Sequence, residues 1–171
     1  MVDDEAEFTA FARLRQADLV RLCWALTGER QLGEDLAQAS LARLWQRWEA
    51  VAAGGDPWPY LQRIAVSVAA TWRRRRWRFE IPGVSFVDRA DSSDGLDAVH
   101  AGDGVERWLR LLPPRQRAVI VLRFLFDLSV EETADRLGCT SGTVKSQTAK
   151  AMTTLRSQRG LIEKVTEVES G

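Results

Sequence analysis

The chain has 171 residues, 45% apolar and 28% charged, which is room for one ordinary domain or two small ones and excludes disorder throughout. No run approaches the roughly 20 apolar residues that a membrane span needs, and the acidic start MVDDEAEF lacks a signal-peptide pattern, so the chain is expected in the cytoplasm. The net charge of zero is built from blocks, which suits two anion-binding modules on an acidic tether better than one enzyme domain: 4 basic against 8 acidic residues over 1–38, 8 against 2 over 39–79, 1 against 7 over 80–106, 10 against 4 over 107–159 and 1 against 3 over 160–171.

The expected fold class is all-α, because apolar residues recur at three- and four-residue steps and no alternating strand pattern stands out. A first helix is expected from about Glu5 to Thr27, with Phe8, Phe11, Leu14, Leu19, Leu22, Cys23 and Leu26 inward, closed by Gly28. A second runs from about Leu32 to Val51 on Leu36, Leu41, Leu44, Trp45 and Trp48. Asp56-Pro57 starts a third, which reaches about Arg78 with Tyr60, Leu61, Ile64, Ala65, Val68 and Trp72 inward. Residues 80–103, rich in Asp, Ser and Gly, break the periodicity and read as a flexible acidic linker.

A second helical module follows. Val105, Trp108, Leu109 and Leu112 form a short helix stopped by Pro113-Pro114, and Arg115 to Asp127 forms the next. Ser129-x-x-Glu132 is a capping box, Gly138 ends the helix it opens, and Thr140 or Ser141 caps a last helix with Val144, Thr148, Ala151, Met152 and Leu155 inward. Two helices joined by a short Gly-containing turn are a helix-turn-helix. The expected division is therefore 1–79, a linker 80–103, 104–159 and a short tail 160–171.

Three features carry chemistry. The last helix opens with Ser141, Thr143, Lys145, Ser146, Gln147 and Lys150, small, hydroxylated or basic groups suited to phosphates and base edges. The run Trp72-Arg73-Arg74-Arg75-Arg76-Trp77-Arg78 puts five Arg in seven residues beside aromatic rings, a nucleic-acid-binding composition. Asp35 and Gln38, one turn apart, share a polar face that could meet a protein partner or simply solvate the helix. Catalytic chemistry has little to stand on. The single histidine, His100, lies among Ala, Gly and Asp, and Cys23 and Cys139 have no CxxC partner. Neither a phosphate-cradling Gly loop nor a nucleophile elbow occurs. No catalytic residue, metal site or cofactor is expected.

Four stretches in this order, EDLAQASLARLWQRW, DPWPYLQRIAVSVAATWRRRRWR, LPPRQRAVIVLRFLFDLSVEETADRLGC and GTVKSQTAKAMTTLR, resemble bacterial sigma factors of the extracytoplasmic-function type over about residues 5–158. The resemblance implies promoter-specific transcription initiation by two helical domains, with no enzymatic activity of their own. Partners would be the clamp helices and flap of core RNA polymerase, promoter DNA and an anti-sigma factor, without a membrane and with a monomer when free. By position, Asp35 and Gln38 match the clamp-facing pair. Trp58, Tyr60, Arg63, Ser67, Arg73, Arg74, Arg75, Arg76 and Trp77 match the −10 side. Arg117, Ser141, Thr143, Lys145, Ser146, Gln147 and Lys150 match the −35 side. The chain departs from the family pattern at Ala39, where Glu is frequent, at Ser67, where Asn is, at Thr71, where Asp is, and at Gln147, where Arg is. Two alternatives remain at this level: an autonomous helix-turn-helix regulator, which would bind duplex tightly without polymerase, and a sigma-like decoy that binds polymerase without initiating.

Overall fold

The computed structural model describes residues 2–79 and 103–169; the expected linker lies outside the described residues except for Asp103, which opens a helix. All regular structure among the described residues is helical.

Helix α1 (Val2–Thr27) begins with Asp3, Asp4 and Glu5, whose charges complement the amino end of the helix dipole. Gly28, at φ 74°, closes it by donating to the Trp24 carbonyl at 2.8 Å. Helix α2 (Arg30–Trp45) packs back against α1 so closely that a Cβ on Gly33 would sit 2.7 Å from Trp24 Cα. Leu19, Leu22, Cys23 and Leu26 of α1 meet Leu36, Ala37 and Leu44 of α2, all buried. Helix α4 (Trp58–Phe79) completes the bundle with Leu61, Ala65 and Val68, and its first turn is capped by Asp56, whose Oδ1 accepts from the Trp58 amide at 3.0 Å.

Two expectations for this half are corrected. Leu14 points outward, 76% exposed. The inward stripe steps from Phe8 through Phe11 and Arg15 to Leu19, and Leu14 lies about 100° off it. The helix expected over 32–51 is two helices. It breaks after Trp45, with Arg47 at φ −127°, and α3 (Trp48–Ala53) restarts. The break turns Trp48 into the core, edge-on to Phe8 at 5.1 Å and 5.4 Å from Phe11, while Trp45 covers the other side of Phe8 and stays 44% exposed. Seating two large rings on one Phe outweighs the single hydrogen bond per residue that continuing the helix would add.

In the second half, α5 (Asp103–Arg110) buries Leu109 and leaves Val105 exposed. The helix expected over 115–127 is α6 (Pro114–Ile120) followed by a π-helical turn, Val121–Leu125. There the ladder widens, with the Phe126 amide reaching the Val121 carbonyl at 3.2 Å, and the chain turns out through Asp127 at φ 52°. Helix α7 (Val130–Leu137) has the expected capping box: Ser129 Oγ accepts from the Glu132 amide at 3.0 Å, and Glu132 Oε2 accepts from the Ser129 amide at 2.7 Å. Gly138, at φ 64°, ends it in the left-handed conformation that glycine adopts without cost. Helix α8 (Ser141–Glu169) follows; Thr140 supplies its cap, its Oγ1 accepting from the Thr143 amide at 3.1 Å. The helix runs through Gly160, so the expected tail continues its backbone. Val119, Ala134 and Val144 form the small core of the helix-turn-helix.

The two halves are packed together. Leu109, Leu112, Ile120, Val121 and Leu122 belong to the same buried cluster as the α1, α2 and α4 leucines, with α4 against α7 and α1 against α6. Polar contacts also cross the seam. The fully buried Gln62 accepts at Oε1 from Arg136 Nε at 3.0 Å, and Arg117 Nη1 reaches the Leu26 carbonyl at 3.4 Å.

Candidate nucleic-acid interface

Helix α4 carries one exposed polar stripe. Arg63, Ser67 and Arg74 are exposed, with Ala70 half-buried between the last two, a spacing of four, three and four residues that keeps them on one face. Thr71 turns its hydroxyl to the Ser67 carbonyl at 3.0 Å, and Arg74 Nε leans back to the Ala70 carbonyl at 3.4 Å. Arg75 is also exposed; Arg73 is half-buried on the opposite side, toward α6. Its guanidinium is held below its usual pKa first by burial and then by the neighbouring cations Arg115 and Arg74. The side chains of Arg76 and Trp77 lie outside the described residues.

At the start of α4, Trp58 and Tyr60 are half-buried. The Trp58 ring lies under the Arg15 guanidinium at 5.2 Å and 6.3 Å from Phe126, so it is held by both halves of the chain.

Helix α8 turns Lys145, Ser146 and Lys150 outward, with Ala149 between them. Ser141, Thr143 and Gln147 are half-buried at its edge. Thr143 shares its hydroxyl with Thr140 at 2.9 Å, which rigidifies the first turn. The lysines make no ion pair among the described residues. Arg117, expected beside them, points elsewhere: its guanidinium donates to the carbonyls of Leu109 at 2.9 Å, Leu112 at 3.1 Å, and Leu26 and Arg110 at 3.4 Å. A guanidinium has five donors in a fixed fork, and four carbonyls turned toward one point claim four of them. That expectation is therefore corrected: Arg117 braces α5, α6 and α1.

Asp35 and Gln38 are exposed on one face of α2, and Asp35 accepts from Gln31 at 3.2 Å. No group of three or more His, Cys, Asp or Glu side chains able to hold a metal occurs among the described residues. Nor is any described helix long and apolar enough to cross a membrane.

Sigma-70 region 2 matches residues 11–79, and sigma-70 region 4 matches residues 104–155. The RNA polymerase sigma-E factor of Streptomyces avermitilis is 35% identical over 153 residues, covering 89% of this chain and 84% of that one. The chain belongs to the extracytoplasmic-function RNA polymerase sigma factors. The sigma-E factor of Streptomyces coelicolor is 34% identical over the same share of this chain and 85% of its own. Among solved structures, the sigma factor RpoE in complex with the anti-sigma factor NepR from Bartonella quintana shares the fold, with a TM-score of 0.68 at 23% identity, over 88% of this chain and 95% of that one.

This sigma factor thus serves transcription initiation, and its basic α4 and α8 faces lie one in each matched region. Sequence reasoning missed Gln62, Arg136, Arg15 and Arg115. Gln62 reads as one more polar helix residue, and its burial depends on Arg136, 74 residues away. Arg115 sits in the same five-residue run as Arg117, and periodicity alone does not say which of the two turns outward.

Proposed function

We propose that this sigma factor reads the −10 promoter element with α4 and the −35 element with α8, and meets the polymerase clamp through Asp35 and Gln38. The α8 face carries the reading: Lys145, Ser146 and Lys150 are exposed on the second helix of a helix-turn-helix, with no carboxylate on that stripe. Lys145 and Lys150 serve phosphates and guanine edges, and the Ser146 hydroxyl serves either. On α4, Arg63, Ser67, Arg74 and Arg75 track the backbone, with Trp58 and Tyr60 as stacking surfaces for an unpaired base. Arg117 is not part of this surface. The chain initiates without catalysing, in the cytoplasm. Like the RpoE in its solved complex, it is held by an anti-sigma factor when idle.

Run-off transcription with core polymerase and a genomic promoter library tests this. Discrete start sites sharing −10 and −35 elements are expected only with the protein present. Lys150→Ala should lower initiation at promoters with a strong −35 element roughly tenfold and reduce the slope of log binding against log salt by about 1. Core binding without transcripts would favour the decoy, for which Ala39, Ser67 and Gln147 are the motivating departures. Tight duplex binding without any core binding would favour an autonomous regulator.

A further inference from the structure

A cleft of about 430 Å³ opens at the seam between the two halves. Arg73 enters it from α4, Arg115 and Gln116 from α6, and Gln147 and Lys150 from α8; Pro113 and Pro114 form the rest of the wall. Among the described residues no carboxylate lines it. Arg73, Arg115 and Lys150 make no ion pair among the described residues, so three cations from three helices face one space. Gln116 gives its Oε1 to the Thr154 hydroxyl at 3.1 Å, which leaves its amide NH2 as a further donor. Arg115 and Arg74 add to burial in making Arg73 harder to keep charged, a cost that an anion in the cleft would offset.

We propose that this cleft is a binding site for a small phosphate oligoanion, of the pyrophosphate or triphosphate class, that bridges the two halves and holds them closed. The charge match selects the class: a monoanion leaves two of three cations uncompensated, whereas a triphosphate meets all three with charge-assisted hydrogen bonds. The volume lies in the range of small-ligand sites. Among the described lining residues Arg73 alone comes from the first half of the chain, so this cluster of cations exists only while the halves are packed together. Because Lys150 is also one of the promoter-contacting positions proposed above, the bound oligoanion and promoter DNA compete. This last clause rests on that reading; the binding site itself does not.

The test uses the free 171-residue chain without polymerase. Titration calorimetry with sodium tripolyphosphate at constant ionic strength should show one site, bound at least about tenfold more tightly than orthophosphate. Arg115→Gln, at an exposed position, should weaken it by a similar factor, and Arg115→Lys should retain most of it. Small-angle scattering should show ligand making Arg136→Ala, loosened at the seam by loss of the Gln62 contact, more compact, and the double variant Arg136→Ala/Arg115→Gln should not respond. Run-off transcription by Arg115→Gln in the absence of oligophosphate should equal wild type. Binding that is no tighter than orthophosphate, or equal in wild type and Arg115→Gln, overturns the site and leaves the initiation reading standing. A short duplex that binds the free protein while tripolyphosphate does not also overturns it, since the phosphates recognised would then be those of DNA. Failure of run-off by the wild type would sink the initiation reading without touching the calorimetry.

Discussion

Cys23 is fully buried between α1 and its neighbours, and burial pushes its thiol pKa up to about 12. A thiol is a nucleophile only as thiolate, so Cys23 should resist thiol reagents at pH 8. With Cys139→Ser in place, native protein should show no reaction over the period in which denaturant releases one equivalent; rapid native labelling would contradict the packing. Burial of this kind was legible, since Cys23 lies on the helical stripe. The fate of Arg117 was not. An arginine near the start of a helix-turn-helix domain reads as a DNA contact, and only four backbone carbonyls assembled from α5, the loop after it and α1 show it as a brace.

At the scale of the element, local signals were accurate where they needed only neighbours. The capping box at Ser129 and Glu132 formed as spelled, and it makes a pH prediction. The Ser129 backbone hydrogen bond first, then the Ser129 side chain, hold the Glu132 carboxyl below its usual pKa. A depressed carboxylate adds stability that is present above its unfolded pKa and lost as pH falls through the folded one. Wild-type thermal stability should therefore fall between about pH 5 and pH 3, and Glu132→Gln should flatten that loss. An unchanged acid limb in the variant would remove Glu132 from the account. Ser129→Ala should cost about 1 kcal/mol by denaturant unfolding at neutral pH. Gly33 is the other test. Its added Cβ would meet Trp24 Cα at 2.7 Å and Trp24 N at 2.8 Å, backbone atoms that cannot rotate away. Gly33→Ala should cost about 1–3 kcal/mol, although alanine favours helix over glycine. A stabilised variant would show that α1 and α2 separate easily.

For the whole molecule, the decisive fact is that the two basic faces lie on halves packed against each other. A compact chain of this length has a radius of gyration of about 16 Å. The −10 and −35 elements are about 25 base pairs apart, roughly 85 Å along the duplex. The packed arrangement therefore cannot span both, and the Gln62–Arg136 and Arg117–Leu26 contacts must part when the promoter is engaged. Dyes on Ala42→Cys and Ser157→Cys, both exposed positions, in a Cys139→Ser background should hold one narrow distance in the free protein and move apart by more than about 20 Å with core polymerase and promoter. Equal transfer efficiency in both states would mean that the promoter is read without opening. Arg136→Ala should shift the free protein toward the open form, because it leaves the buried Gln62 amide oxygen without its donor.

By itself the sequence determined the helices, the capping residues, the helix-turn-helix and the two basic ends, because each depends on side chains within about one or two turns of each other, where backbone geometry dictates who meets whom. The four ordered motifs carried the family resemblance for the same reason. The tertiary structure alone decided the break before Trp48, the widened turn at Val121–Leu125, the bracing of Arg117 and the packing of the two halves. It also decided the cleft where Arg73, Arg115 and Lys150 converge. Those features join residues up to 91 positions apart, and which partner a buried polar group or an aromatic ring takes is set by what the rest of the chain brings against it.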